Sequence, residues 1–118
     1  MIKLKRAYDP PAANDGARFL VERLWPRGVR KSDLPLTGWL KDVAPSTDLR
    51  RWFGHDPRKW PEFRRRYFLE LRKNAKAVEP LLAVALKRPT TLVYSARDTE
   101  HNAAIALRDH LTRKLRAR

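Results

Sequence analysis

One strand-like segment near the end of the chain restricts the possible folds most. Residues 90–95 are rich in the β-branched and aromatic side chains that strands favour. They follow a stretch with helical periodicity over residues 35–88, and another helical segment comes after them. A strand reached through a long helical crossover pairs in parallel with the strands before that crossover. The pattern therefore predicts an α/β domain.

Two further strands are predicted near the N-terminus. Residues 2–6 alternate apolar and basic side chains, as in a half-buried strand. Residues 17–25 contain a short apolar run bounded by a glycine and a proline, which indicates a buried strand, although a helix is also compatible. Turn-forming residues dominate 9–16, which we expect to be a loop. The expected fold is a small, mainly parallel sheet flanked by helices, in a single three-layer-like domain.

The helical stretch divides at prolines and capping residues. A first helix is predicted from Leu36, Trp39, Leu40 and Val43, and it ends at a proline. Ser46 is a good N-cap for the next helix, which a glycine is placed to end. Pro61 suits the first turn of a third helix, and a proline at 89 stops a fourth. Their apolar faces are made by Leu49, Trp52 and Phe53, then Phe63, Tyr67 and Leu71, then Val78, Leu81, Leu82, Ala85 and Leu86.

Length and composition are those of one ordinary domain. The 118 residues are 42% hydrophobic and include four tryptophans, enough to bury a core without a covalent staple. We expect one domain over residues 1–118, with a basic tail at about 113–118. The chain has no cysteine, so it has no disulfide, no thiolate nucleophile and no thiolate metal ligand. It shows no signal peptide and no apolar run near the roughly 20 residues of a membrane helix, so we expect a cytoplasmic protein.

The chain is strongly basic. Its formal net charge is +14, from 27 Lys and Arg against 13 Asp and Glu. Such a charge attracts nucleic acids and anionic small molecules alike. The excess is spread along the chain, which is more typical of general solvation than of a nucleic-acid footprint. Nucleic-acid binding therefore stays a second hypothesis.

Basic and polar residues follow the predicted strands directly. In open α/β sheets, ligands bind beyond the carboxyl ends of the strands, and parallel strands bring those ends to one edge. The residues that would meet there include Tyr8 and Asp9, then Arg23, Trp25 and Arg27, then Ser95, Arg97 and Asp98. A helix is expected to begin near Thr99 with Asp98 as its cap, and it would bring His101 and Asn102 to the same edge.

An anion site is the first hypothesis for this edge. Guanidinium groups bind carboxylate and phosphate in a forked geometry, and a helix N-terminus also attracts negative charge. The predicted ligand-binding residues are Tyr8, Arg23, Trp25, Arg27, Ser95, Arg97, His101 and Asn102. The ligand would be a small molecule that bears a phosphate or a carboxylate, and Trp25 or Trp52 would line the pocket.

The sequence does not decide whether this edge of the sheet is catalytic. An enzyme acting on a nucleotide-like or phosphorylated substrate would need a proton-transfer group, and the candidates are His55 and Asp98. The three histidines are not at metal-binding spacing from one another, and we expect neither a metal nor a cofactor. Glycine-rich phosphate loops and nucleophile elbows are absent from the sequence.

Each candidate also has a purely structural interpretation. Arg23 could pair with Asp9 or Asp42, and Arg97 with Asp98 could be a surface pair and a helix cap. His55 precedes Asp56-Pro57, which is ordinary turn chemistry. Trp25 and Trp39 are expected in the core, and His110 on the helix surface. Arg64, Arg65 and Arg66 lie near Glu62 and Glu70, a spacing typical of a solvated, salt-bridged helix face.

Five stretches of sequence are distinctive together. They are Arg23-Leu-Trp-Pro-Arg-Gly28, Trp39-Leu-Lys-Asp-Val-Ala-Pro-Ser46, Leu49-Arg-Arg-Trp-Phe-Gly-His-Asp-Pro57, Thr91-Leu-Val-Tyr-Ser-Ala-Arg-Asp98 and His101-Asn102. In unbroken order over residues 2–112, they closely resemble the YeaO-like branch of the domain-of-unknown-function family 488 (DUF488). The resemblance implies a small cytoplasmic bacterial α/β domain. It marks Arg23, Trp25, Pro26, Arg27, Lys41, Pro45, Ser46, Arg50, Trp52, Phe53, His55, Arg97, Asp98 and Asn102 as positions of interest.

The resemblance also shows what this chain lacks. Longer members of the wider family carry a cysteine and a glutamate where the last strand ends, and Cys-His-Arg in the next helix. The matching residues here are Tyr94-Ser95-Ala96 and Asn102-Ala103-Ala104. Thiol or metal chemistry in the relatives is therefore not expected here, whereas ligand binding at the same edge remains compatible with these residues.

Two alternatives to small-anion binding remain from the sequence. A nucleic-acid-associated protein would use its basic helices and tail, with Arg113, Lys114, Arg116 and Arg118 on phosphates. A non-catalytic interaction or regulatory module would need to bind neither a small anion nor a nucleic acid. Convergence of Arg23, Arg27 and Arg97 in one concave pocket would favour the small anion, and a broad convex basic stripe would favour nucleic acid.

Overall fold

Four parallel strands form the centre of the protein. The computed structural model describes residues 2–118, and its sheet has the order β1-β4-β2-β3. The strands are β1 (Ile2–Arg6), β2 (Ala17–Leu20), β3 (Gly38–Trp39) and β4 (Thr90–Tyr94). Every neighbouring pair is parallel, with Leu4 and Phe19 both in register with Leu92. The predicted α/β fold with a parallel sheet is confirmed.

Four helices follow the predicted order. They are α1 (Thr47–Phe53), α2 (Trp60–Lys73), α3 (Ala75–Lys87) and α4 (Ala103–Arg116). Ser46 caps α1, since its Oγ accepts the N–H of Leu49 at 3.1 Å. Gly54 ends the same helix in the left-handed conformation, with φ at +53°. Between residues 2 and 118, none of these helices combines the length and the apolarity needed to span a membrane.

The prediction of a helix from Leu36, Trp39, Leu40 and Val43 is wrong. The segment is the edge strand β3, followed by a 3-10 turn over Lys41–Val43. Sheet pairing prevails over the helical spacing because Leu40 donates its N–H to the carbonyl of Leu20 at 2.8 Å. The apolar side chains also divide between the two faces of the sheet, with Leu36 and Trp39 on one and Leu40 and Val43 on the other.

Three smaller predictions are also corrected. The strand predicted over 17–25 ends at Leu20. Helix α4 begins at Ala103 with Asn102 as its N-cap, because the Asn102 Oδ1 accepts the N–H of Ile105 at 3.0 Å, so Asp98 does not cap it. His110 is buried rather than on the surface, because it packs beside Phe68 of α2, with the two ring centroids 6.1 Å apart.

The two faces of the sheet are covered differently. All four helices pack on one face and enclose the larger apolar core, which includes Phe63, Tyr67 and Leu107. The other face carries a smaller cluster around Leu20 and Val93, covered by irregular segments and 3-10 turns. Trp25 and Trp39 are half-buried there, with their rings edge to face and 5.5 Å apart. The layer on this face is therefore made of loops rather than helices.

The arginine run on α2 is largely neutralised, as the sequence predicted. Arg65 and Arg66 both bind the carboxylate of Glu62 at 2.8 Å. Arg64 reaches across to Asp109 of α4, also at 2.8 Å. Glu70 does not take part, because its carboxylate accepts the backbone N–H and the hydroxyl of Ser46. Arg64 thus links α2 to α4, whereas Arg65 and Arg66 form a solvated ion-pair network on the surface of α2.

A buried ionic cluster lies on the loop-covered face of the sheet. The carboxylate of Asp15 is only 2% exposed, and it binds Arg18 at 2.6 Å and Lys5 at 3.0 Å. It also accepts the N–H of Ala12, and its own carbonyl accepts the hydroxyl of Thr91 at 2.8 Å. The cluster therefore ties the loop over residues 9–16 to β1, β2 and β4.

Asp15 should make the protein sensitive to acid below pH 4. Burial alone would raise its pKa, but the Ala12 N–H, Lys5 and Arg18 lower that pKa from 3.8 to about 2. A carboxyl with a lower pKa in the folded state stabilises the fold above pH 3.8, and this stabilisation is lost as the pH falls towards 2. We expect about 2 kcal/mol of stability to disappear in that window. Urea unfolding between pH 2 and 5 would measure it, with Asp15→Asn as the variant that lacks this component.

Candidate functional site

A large cavity opens at the carboxyl edge of the sheet. Its volume is about 820 Å³, and it is walled by segments that follow β1, β2 and β4. The loop after β2, residues 21–27, forms one side, and residues 94–98 after β4 form another. Further wall comes from α1 and from the first turn of α4. The parallel sheet thus brings together the three strand ends that the sequence indicated.

Four arginines line this cavity. Arg23, Arg27 and Arg97 come from the strand ends, and Arg50 comes from α1. The lining carboxylates are those of Glu22 and Asp98, so four cations against two anions leave a net charge of +2. A cavity with a positive wall concentrates anions from solution.

Arg23 mainly holds the cavity wall. Its Nε donates to the carbonyl of Pro45 at 3.0 Å, and its Nη2 donates to that of Ala44 at 3.4 Å. Within residues 2–118 it forms no salt bridge with Asp9 or Asp42, the partners that the structural interpretation proposed. Two of its three nitrogens are therefore occupied by backbone, which fixes the plane of the guanidinium.

The other three arginines have unoccupied guanidinium groups. Arg27, Arg50 and Arg97 are exposed, and they line the cavity from three different segments. In the described part of the chain, none of their side chains makes a hydrogen bond or a salt bridge, although eleven salt bridges form elsewhere. All five N–H donors of each fork are thus available to a ligand.

The rest of the lining is largely apolar. Phe53 and Phe63 stack on each other with ring centroids 4.3 Å apart, and both line the cavity with Tyr94. Trp25 donates its indole N–H to the carbonyl of Val29 at 2.6 Å, which fixes the ring in the wall. Trp52 does not reach the cavity, because it packs under Arg66 and Lys59 on the outside of α1.

Arg6 holds the loop between β4 and α4, and the sequence did not reveal this. Its Nε donates to the carbonyl of Ala96 at 2.9 Å, and its Nη2 donates to that of Ser95 at 3.1 Å. The same guanidinium lies 4.9 Å from the ring centroid of Tyr8, whose hydroxyl donates to the carbonyl of Arg27 at 3.0 Å. Arg6 only appeared as one basic residue in an alternating strand, so no local signal distinguished it.

Asp98 and His101 form a closed local unit. The Oδ1 of Asp98 accepts the N–H of Glu100 and of His101, and its Oδ2 lies 3.0 Å from the Nδ1 of His101. The N–H of Glu100 is the main cause of a lowered pKa at Asp98, with further contributions from the N–H and ring of His101. The carboxyl is thus held ionised, which suits a structural anion better than a proton donor.

His55 and Asp56 do not form an acid–base pair. The Oδ1 of Asp56 accepts the N–H and Nε of Arg58, and its Oδ2 accepts the Nη2. His55 is exposed and lines the cavity, without a carboxylate to orient it within the described residues. The turn interpretation describes Asp56 well, whereas the imidazole of His55 is left facing the cavity.

Most of the predicted site residues come together. The cavity is lined by Tyr8, Arg23, Trp25, Arg27, His55, Ser95, Arg97, Asp98 and Asn102, and His101 is the exception, since it packs edge-on to Trp60. Arg50 and Phe53 were indicated only by the family resemblance, because they follow no strand. Among residues 2–118, no three His, Asp or Glu side chains gather as a metal site would require.

Comparison with known proteins gives a consistent result. A family model described as "Inactive DUF488-N3 subclade" matches residues 1–118. The chain is 44% identical over 110 residues to "Uncharacterized protein YeaO" of Escherichia coli (strain K12), a match that covers 93% of this chain and 96% of the relative. It is also 44% identical over 78 residues to "Uncharacterized protein Rv3073c" of Mycobacterium tuberculosis (strain H37Rv), which covers 66% of each chain. No solved structure matches the chain significantly.

Proposed function

Because the chain belongs to the DUF488 family, in the branch described as its inactive N3 subclade, we propose that it is a non-catalytic binding domain for a small organic anion. The family resemblance predicted from the sequence motifs is confirmed by this match. The name of the subclade concerns activity and leaves binding open. The proposal therefore rests on the cavity itself.

The observation that carries the proposal is the convergence of unpaired cations. Arg27, Arg50 and Arg97 reach one cavity from three segments, and none of them forms a salt bridge with a carboxylate of the described chain. Like charges gathered around one space repel one another, so the arrangement costs stability unless an anion occupies it. Phosphate and carboxylate groups match the planar fork of a guanidinium.

The first turn of α4 supports the same ligand. Ala103 and Ala104 line the cavity together with Arg97, and their backbone N–H groups have no acceptor within the described residues. These N–H groups lie at the positive end of a 14-residue helix. These backbone donors supplement the arginine side chains, and they do not form an anion site by themselves.

The apolar wall indicates that the anion has an organic body. Trp25 is half-buried in this wall and Leu24 at the rim is 63% exposed, so both present apolar surface, whereas Phe53, Phe63 and Tyr94 are almost fully buried. A volume of about 820 Å³ is within the usual range for cavities that hold organic ligands. A nucleotide or another phosphorylated molecule with an apolar portion meets both requirements.

Several observations support binding without catalysis. The pocket has no thiol, because the chain has no cysteine. Asp98 does orient the imidazole of His101, but that ring packs edge-on to Trp60 and lies outside the cavity lining, and His55 has no orienting carboxylate. A proton-transfer pair of the usual kind is therefore not assembled among the cavity residues described.

We expect the wild-type protein to bind a phosphorylated ligand and the arginine variants to lose affinity. Calorimetric titration would use inorganic phosphate, ribose 5-phosphate, adenosine monophosphate and citrate, which separate the anionic group from the organic body. For the tightest of these, Arg27→Ala, Arg50→Ala and Arg97→Ala should each weaken binding roughly 10-fold or more, since each removes a charge-assisted hydrogen bond. Arg51→Ala is the matched control, because Arg51 is exposed, follows Arg50 in α1 and lies outside the cavity lining.

Salt dependence separates this proposal from nucleic-acid binding. A small anion held in a cavity should lose little affinity between 50 and about 200 mM salt, whereas an oligonucleotide on several basic residues should lose roughly a thousandfold or more. An oligonucleotide that binds tightly, competes with none of the four small anions and is unaffected by the three arginine variants would contradict the proposal.

A further inference from the structure

One residue of the cavity has an unusual backbone. His55 has a φ of +57°, the only positive value among the non-glycine residues from 2 to 118. A residue with a Cβ rarely adopts this left-handed conformation, because the Cβ comes too close to the neighbouring carbonyl oxygen. This conformation therefore has a higher free energy for histidine than for glycine.

The fold itself does not require a histidine there. Gly54, one position earlier, already ends α1 in the left-handed conformation, and its N–H binds the carbonyl of Arg50 at 3.1 Å. The His55 side chain makes no hydrogen bond or salt bridge within the described chain, and its ring centroid lies 6.3 Å from that of Phe53. Asp56, which could have oriented the imidazole, is bound to Arg58. Apart from this packing against Phe53, the His55 side chain has no hydrogen bond or ion pair within the described chain that offsets the strain.

The left-handed turn does place His55 at the cavity. The side chain is exposed and lines the same space as Arg50 and Phe53, at the end of α1. We propose that His55 contacts the ligand, and that its strained backbone is retained in order to present an imidazole N–H to the bound anion. This inference rests on the proposed function, since it names one donor of the same site.

The chemistry of the contact follows from the surroundings. An imidazole N–H donates a hydrogen bond to a phosphate or carboxylate oxygen. The free guanidinium of Arg50 comes from the same helix end, so the two donors can share one anionic group. His55 is then a binding residue that needs no orienting carboxylate, which agrees with the engagement of Asp56 by Arg58.

Two variants at one position separate strain from binding. His55→Gly removes both the imidazole and the strain, whereas His55→Ala removes the imidazole and keeps a Cβ at positive φ. We expect His55→Gly to melt at a temperature equal to or above that of wild type, and His55→Ala to melt below His55→Gly by about 2 to 5 °C. Both variants should bind adenosine monophosphate and inorganic phosphate roughly 10-fold more weakly than wild type.

The outcomes distinguish this inference from the proposed function. If wild type and both variants bind either probe equally, His55 does not contact the ligand, while the arginine site still stands. A loss of binding in His55→Ala that His55→Gly restores would mean that only the turn conformation matters, which also overturns the inference. If wild type binds neither probe nor any other anion of the panel, both proposals fall together. As a readout independent of affinity, the imidazole proton resonances of His55 should shift on addition of inorganic phosphate.

Discussion

Replacing Asp15 with asparagine is expected to lower the free energy of unfolding by about 3 to 5 kcal/mol. The substitution keeps the shape of the side chain and removes its charge, so the buried guanidinium of Arg18 and the ammonium of Lys5 lose their counterion. A charge left unpaired in a buried position is far more costly than a broken surface pair. The Nη2 of Arg18 already lacks a partner in the described structure, so no spare acceptor is at hand. Urea unfolding at pH 7 would measure the change.

Asp33→Asn is the matched control for this result. Asp33 and Arg30 form a pair with the same sequence separation as Asp15 and Arg18, but their side chains are 58% and 83% exposed. Exposed pairs contribute at most about 1 kcal/mol, so the control should unfold almost as wild type does. Adding Arg18→Met to Asp15→Asn should recover part of the loss, because it removes the stranded charge. Equal losses in the two asparagine variants would show that burial of the pair has no energetic consequence.

The substitution Gly16→Ala is expected to cost about 3 kcal/mol or more of stability. A Cβ at Gly16 would lie 2.1 Å from the carbonyl oxygen of Pro89 and 2.7 Å from its carbonyl carbon. That carbonyl accepts the N–H of Ala17 at 2.9 Å, so moving it away breaks the first contact between β2 and the start of β4. The φ of +66° adds further strain for any residue with a Cβ. Thermal and urea unfolding would both report the loss.

Gly28→Ala separates the clash from the backbone strain. Gly28 has a φ of +78°, similar to that of Gly16, but a Cβ there would meet nothing within 4 Å. This control should cost only about 1 kcal/mol, which is the ordinary penalty of a left-handed alanine. If both alanine variants lost the same stability, the close approach of Pro89 to Gly16 would have no effect, and the prediction would be wrong.

Local sequence patterns predict where the candidate site lies better than they predict which residues line it. The strand-like segments 2–6 and 90–95 with a helical stretch between them require parallel pairing, and parallel strands bring their carboxyl ends together. The sequence pattern therefore predicts that Arg27 and Arg97 lie at one edge of the sheet. It does not predict the same for Arg50, because Arg50 lies on a helix, and only packing decides which helix end reaches the cavity.

The two wrong predictions, of a helix over residues 36–43 and of Asp98 as the cap of α4, share a physical cause. The helix predicted from Leu36 to Val43 had the right spacing, yet Leu40 pairs with Leu20 and its apolar neighbours lie on both faces of the sheet. Periodicity records which residues are apolar, and it does not record which neighbour covers them. The caps show the same limit, since Ser46 was predicted correctly from its own side chain, whereas Asn102 took the position expected for Asp98.

Residue order alone therefore determined the parallel α/β architecture, the caps and ends of α1, and the group of strand-end arginines, because these depend on local conformation and on the chirality of the chain. Tertiary structure alone decided which of the arginines are free. Arg23 is occupied by the backbone of Pro45 and Ala44, and Arg18 is buried on Asp15, whereas Arg27, Arg50 and Arg97 keep their donors for the cavity. A guanidinium is satisfied or free according to the groups that folding brings within hydrogen-bonding distance, and those groups are remote in sequence.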